Sequence, residues 1–258
     1  MKKNKIKSII IGLTLISATL VGCKAEETTP TVAPETQAID VKVFQGLGQV
    51  PAFRVGPGKD KKEVQVYSFS YLTASGTFDK DGKIINIYFD ALEVSSPNYD
   101  GESMPHMSGW PGTEGYNVTD HATQEVTSVS ENTNETIAAE INGWKTKRER
   151  GDKYGMNYAN DWHQQADFYQ EFFKGKTIAD IEAWYAKYCS DVNGRPLTAK
   201  SEKPEDIAKL GKLTDAEKKD LVDVTTGATM SLQDAHGDFL AAIKKAYENK
   251  IEVTIPTK

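Results

Sequence analysis

The stretch Asp223-Val224-Thr225-Thr226-Gly227-Ala228-Thr229-Met230-Ser231 places three threonine hydroxyls around a glycine and an alanine. An amphipathic run starts directly behind it, so the spacing predicts a helix entrance here. The first turn of a helix presents unpaired backbone N–H groups and the positive end of the helix dipole, which together attract an anion. Gly227 and Ala228 leave room for a phosphate to approach the backbone, and the hydroxyls can donate further hydrogen bonds. The residues by themselves point to a phosphate site. They leave open which phosphate it takes and whether it is covalently bound. They fit equally a helix merely capped by Thr226, with Asp223 favouring the dipole.

D-x-x-T-G-A-T over Asp223–Thr229 resembles the flavinylation motif of the FMN-binding domain family. That family includes the flavin-carrying subunits of sodium-pumping NADH:quinone reductase and lipoproteins of extracellular electron transfer. The resemblance implies one covalent FMN, joined through its phosphate to Thr229 by an exported FMN transferase that uses FAD and Mg²⁺. It implies that Asp223, Thr226, Gly227 and Ala228 serve recognition or shape the bend, while Thr225 falls at a variable position. A second stretch, GDKYGMNYANDWHQQADFYQEFFKGKT over 151–177, is similar to the segment preceding the motif in flavinylated lipoproteins of Gram-positive extracellular electron transfer. The defining lipoprotein of that branch carries two such domains; the single motif here implies one flavin.

At the start of the chain, basic MKKNKIK precedes an apolar segment too short to count as a membrane span, and then Leu20-Val21-Gly22-Cys23. This resembles the lipobox of bacterial lipoprotein precursors and implies cleavage before Cys23, with diacylglycerol on its sulfur. Two acyl chains give lasting attachment, at about 0.8 kcal/mol per buried methylene. The expected organisation is a signal peptide over 1–22 and a lipidated cysteine with a Thr-, Pro- and Glu-rich tether over 23–40. A single FMN-binding domain with an extended N-terminal part follows over 41–258. The location implied is extracytoplasmic, anchored to the cell membrane of a Gram-positive bacterium. Loss of residues 1–22 removes four lysines and no acid from a chain of 31 basic and 37 acidic residues, taking the net charge from −6 to −10. Such an acidic body argues against nucleic acid and against a polybasic membrane-binding face. With Cys23 lipidated, Cys189 has no intramolecular partner and reads as a small buried apolar residue.

The elements that must position the motif are readable in part. Asp81-Gly82, flanked by the β-branched and aromatic runs of 63–94, predicts a hairpin. Residues 95–117 form a long Pro- and Gly-rich loop. In it, Met107 and Trp110 are candidates to cover one face of the isoalloxazine, against the plainer reading of a loop pinned by its own aromatic residue. Residues 120–142 are polar with a helical tail. Trp162, Ala166, Tyr169 and Phe173 predict a helix over Asn157–Phe173, and Thr177 caps another. Thr214 and Glu217 form a capping-box pattern. Behind the motif, Leu232, Ala235, Phe239, Ile243 and Ala246 mark a helical face reaching about residue 249, and 251–255 reads as a closing strand. Residues 38–62 give no assignment. The basic cluster Lys145, Lys147, Arg148 and Arg150 reads as a solvated face or a dock for an acidic partner, and the four histidines show no metal-binding spacing.

The fold class expected is α+β, a small antiparallel sheet with segregated helices, which the resemblance makes FMN-binding-domain-like. The function it implies is an electron carrier between a membrane quinol or dehydrogenase and an extracellular acceptor or reductase. The alternative is a surface lipoprotein that binds a solute or anion without a covalent cofactor. A third reading is a flavin-dependent reductase module working with a separate catalytic subunit.

Overall fold

In the computed structural model, which describes residues 40–99, 103–154, 156 and 160–256, three long strands come first. They are β1 (Val41–Lys59), β2 (Gln65–Phe78) and β3 (Ile84–Ser95), followed by the short pair β4 (Asn117–Thr119) and β5 (Val126–Val129). Helices α1 (Asn134–Asn142), α2 (Lys147–Arg150), α3 (Trp162–Phe173), α4 (Ile178–Tyr188), α5 (Pro204–Leu210) and α6 (Asp215–Gly227) follow. The chain ends in β6 (Gln233–Asp234), β7 (Gly237–Asp238), α7 (Phe239–Glu248) and β8 (Ile251–Ile255). The main sheet is antiparallel in the order β3-β2-β1-β8, so the protein is α+β. The lipobox, Cys23 and the tether lie outside the described residues.

β2 alternates strictly, with Val66, Ser68, Ser70, Leu72, Ala74 and Phe78 inward and Tyr67, Phe69 and Tyr71 outward. The expected hairpin forms where Gly82 takes a φ of 79°, and its N–H donates to the Asp79 carbonyl at 3.1 Å. Against the inward face of the sheet pack Trp162, Ala166, Tyr169 and Phe173 of α3 and Phe239, Ala242, Ile243 and Ala246 of α7, in one continuous core. Thr177 and Thr214 cap their helices as the spacing predicts. Cys189 is buried in this core, and burial pushes its thiol well up. No helix among the described residues is long and apolar enough to cross a membrane.

One stretch without an assignment gains one, and one expectation is revised. Residues 41–59, which carry glycines and prolines against the usual strand pattern, form the longest strand. Gly46 and Gly48 are required because α7 lies directly on β1: a Cβ on them would stand 1.8 Å from the Ala246 carbonyl oxygen and 1.9 Å from that of Ala242. Pro51 is tolerated because β8 pairs only with Val41–Gln45, leaving β1 at the edge of the sheet beyond them. The helix behind the motif starts at Phe239, capped by the Asp238 side chain. Leu232 is a core residue and Ala235 an exposed one in the turn ahead of it.

Candidate functional site

Asp223–Gly227 closes a helix; it does not open one. The Thr225 and Thr226 hydroxyls donate back to the Val222 carbonyl at 3.1 and 2.8 Å, and Ala228 is extended at φ −149° and ψ 134°. Hydroxyls bonding back three and four residues belong to a helix already formed. Thr226 is therefore no N-cap. The dipole also presents its negative end at the motif, which repels an anion. A free phosphate has no helix N-terminus to bind here, so the anion-binding alternative loses the argument from the helix dipole.

The structure supplies other partners for this helix end, all from α3 and the turn before it. Asn160 Nδ2 donates to the Gly227 and Thr226 carbonyls at 2.9 and 3.1 Å. Gln165, 1 % exposed, accepts from the N–H groups of Thr229 and Met230 through one oxygen at 2.8 and 2.7 Å. Its amide donates to the Asn160 carbonyl at 2.8 Å, and the Tyr169 hydroxyl donates to the Met230 carbonyl at 3.2 Å. The two stretches that carry the resemblance, 151–177 and 223–229, are thus in direct contact. Thr229 itself is partly exposed between buried Ala228 and buried Met230, and its hydroxyl bonds to none of the described residues. Asp223 is exposed.

Gly227 is demanded by space. A Cβ on it would stand 2.1 Å from Phe168 Cδ2, while its torsions are helical. Gly227→Ala is expected to cost about 1–3 kcal/mol, as overpacking does. The blocking atoms belong to a side chain, so Phe168→Ala in the same chain should recover part of that loss. Urea midpoints of the two single variants and the double variant check this, and strictly additive losses would count against it.

Beside Met230 opens a cleft of about 330 Å³, at the lower end of ligand pockets. Leu72, Ala91, Met156, Trp162 and Phe239 form its apolar walls, and Lys147, Tyr154, Arg195, Asp234 and His236 supply polar groups. Lys147 corrects the expectation of a solvated basic cluster. It is 4 % exposed and pairs with buried Glu93 at 2.9 Å, while its Nζ donates to the Tyr154 hydroxyl at 2.8 Å. Burial opposes both charges, yet the Lys147 ammonium holds the Glu93 carboxyl below the usual carboxylate range. Lys147 stands above its own ordinary value for the reciprocal reason, with Tyr154 and Glu93 outweighing burial. Arg150 is buried too, and Arg148 pairs with Asp167 at 2.8 Å. Only Lys145 of that cluster is exposed.

His236 sits between Arg54 and Asp234. Arg54 Nη1 lies 2.7 Å from its Nε2; guanidinium only donates, so Nε2 accepts. The ring proton then resides on Nδ1, which faces Asp234 Oδ1 at 3.2 Å. The two contacts fix the orientation of the imidazole at the cleft edge.

Met107 and Trp110 are not brought to the motif. Met107 lines a separate cleft of about 240 Å³ with Phe53, Tyr67 and Phe69, on the sheet face opposite Leu72 and Ala91. Trp110 is 67 % exposed. The loop is pinned from outside itself, by Trp144 Nε1 donating to the His106 carbonyl and by Glu140 accepting from the Ser108 N–H at 2.9 Å. Among the described residues no group of three or more His, Cys, Asp or Glu could hold a metal ion. Gln165 could have been found in the sequence, as a polar residue on the apolar stripe of α3. Nothing in the basic run marks Lys147 as buried.

The chain is 39 % identical over 224 residues to the chlorophenol reductase of Desulfitobacterium hafniense. The match covers 82 % of this chain and 59 % of that protein, so the chain spans well under two thirds of its relative's length. No protein-family model matches the chain, and no solved structure matches it.

Proposed function

We propose that this protein is a membrane-anchored, extracytoplasmic flavoprotein of the FMN-binding domain type, carrying one covalent FMN on Thr229. It passes electrons from a membrane quinol or dehydrogenase to an extracellular acceptor or reductase. The observation that carries the reading is the presentation of Thr229. Its backbone is clamped by Gln165, its neighbours are buried, its hydroxyl is left without a partner among the described residues, and a ligand-sized cleft begins at the next residue. The residues fit the group: Trp162, Phe239 and Met156 offer apolar surface to a flat ring, and Lys147 and Arg195 offer donors. FMN supplies one- and two-electron chemistry when bound.

A covalent link also suits the reversed dipole, because no helix N-terminus holds the phosphate. The attachment would be made by an exported transferase using FAD and Mg²⁺, and Cys23 would carry the lipid. The relative named a reductase supports a redox role. It also favours a second reading, in which the chain forms part of an assembly that reduces chlorinated phenols.

Incubation of the mature protein with the transferase, FAD and Mg²⁺ should add the mass of one FMN moiety, and Thr229→Ala should abolish the increment. An increment that survives Thr229→Ala, or none on the wild-type chain, sinks the proposal. Reoxidation of the reduced flavoprotein by a chlorophenol, with dechlorinated product formed only when a co-purifying subunit is present, would favour the second reading over the carrier.

A further inference from the structure

We propose that the Glu93–Lys147 ion pair tunes the redox potential of the group bound in the cleft, with Lys147 stabilising the charge gained on reduction and Glu93 limiting that effect. The inference rests on the flavin reading of the same cleft.

Burial argues that the pair is there for more than stability. Taking two charges out of water costs several kcal/mol per ion, and a well-packed apolar pair is often as stable or more so. Here both partners are nearly sealed, with side chains 4 % and 7 % exposed, at the rim of a core otherwise built from Leu72, Ala91, Trp162 and Phe239. Perturbed, paired charges inside a cleft are the pattern of a functional site.

The geometry says which way the pair acts. Lys147 carries three N–H donors, and Glu93 Oε2 and the Tyr154 hydroxyl take two of them at 2.9 and 2.8 Å. Its Nζ stands 4.6 Å from the Tyr154 ring centroid and 5.9 Å from that of Trp162, both walls of the cleft. Glu93 pairs across the sheet with Ser70, one step along the inward face from Leu72 and Ala91, and lies behind the cation. Arg54 is committed to His236, which is only partly buried, and Arg195 is exposed. Lys147 is thus the buried cation lining the cleft. A bound ring that takes up two electrons with a single proton gains one negative charge, the electrons coming from the membrane donor and the proton from solvent. In a low-dielectric cleft a fixed cation favours that form strongly, and charge near the ring is one of the protein's means of tuning a flavin.

The sign test uses the flavinylated full chain in a spectroscopic redox titration. Lys147→Met is expected to lower the midpoint potential and Glu93→Gln to raise it. A tenfold change in the ratio of reduced to oxidised flavin corresponds to about 30 mV for a two-electron couple. A merely structural pair would not move the potential in opposite directions. The double variant Lys147→Met/Glu93→Gln removes both buried charges and should fall between the single variants. It also serves where Lys147→Met alone fails to fold, because Glu93→Gln must still titrate above the double variant. Equal potentials, or shifts of one sign in both single variants, overturn the inference while leaving the flavin assignment standing. A wild-type chain without the FMN mass increment overturns the flavin assignment itself, and this inference with it.

Discussion

Gln165→Leu is expected to lower the unfolding free energy by about 2–6 kcal/mol and to abolish the flavin loading proposed for Thr229. One carboxamide oxygen satisfies the N–H groups of both Thr229 and Met230 in a site 1 % exposed. A leucine of similar volume leaves both without a partner, and each orphaned buried donor costs roughly 1–3 kcal/mol. The Asn160 carbonyl, which accepts from the same amide, is orphaned as well. Asn160 in turn caps the last carbonyls of α6, so the loss travels to the helix end. Gln165→Glu separates the contributions. A carboxylate still accepts from both N–H groups but cannot donate to Asn160 and adds a buried charge, so its stability should lie between wild type and leucine. The adjacent Gln164 is an exposed capping residue, its side chain accepting from the Asp161 N–H at 2.8 Å. Gln164→Leu should cost no more than a lost cap, about 0.5–2 kcal/mol, and leave loading intact. Urea denaturation and intact mass measure both quantities. Normal loading of Gln165→Leu would show that the clamp does not position Thr229.

That clamp also explains what could be read in advance and what could not. The hairpin was legible because Asp81-Gly82 and the β-branched runs beside it are local signals, and the capped helices because a threonine with an acid three residues on satisfies its own N–H groups. The direction of the motif helix was not. Leu232, Phe239, Ile243 and Ala246 fall at helical spacing although only the last three lie on α7. Leu232 reaches the same core from an extended segment, its N–H donating to the Gly194 carbonyl at 3.0 Å. Periodicity cannot distinguish a core residue on a helix from one that enters beside it. β1 was hidden for the opposite reason, since its glycines answer to α7, distant in sequence. Lys147 was hidden because burial of a charge depends on Glu93 and Tyr154, which sequence spacing does not bring together.

The motif residues divide accordingly by what fixes them. Gly227 and Ala228 meet packing demands, from Phe168 and the core. Asn160 and Gln165 meet hydrogen-bonding demands from outside the motif. The Thr229 hydroxyl meets neither, since it serves no described residue, and the role proposed for it is chemical.

Gly48→Ala should destabilise the protein more than any change in the motif, by at least about 3 kcal/mol, the upper end of ordinary overpacking. Its Cβ would stand 1.9 Å from the Ala242 carbonyl oxygen and 2.5 Å from the Ala246 N–H nitrogen. Both are backbone atoms of α7, already committed to the helix, so the strand and helix must part. The contrast with Gly227 is a test of the cause. There the obstacle is the Phe168 side chain and a smaller residue relieves it, whereas here Ala242→Gly removes no blocking atom and should recover nothing. Gly143→Ala is the control, a helix end at φ −86° where the nearest atoms to a new Cβ are 3.4 Å away. It should change stability by no more than a few tenths of a kcal/mol. Parting β1 from α7 also moves Phe239, the first residue of that helix and a wall of the cleft. On the proposed flavin assignment, any Gly48→Ala protein that folds should therefore hold the cofactor in a more solvent-exposed setting, read from its fluorescence and quenching by iodide. Full recovery of stability by Ala242→Gly would show that the contact is made through side chains after all.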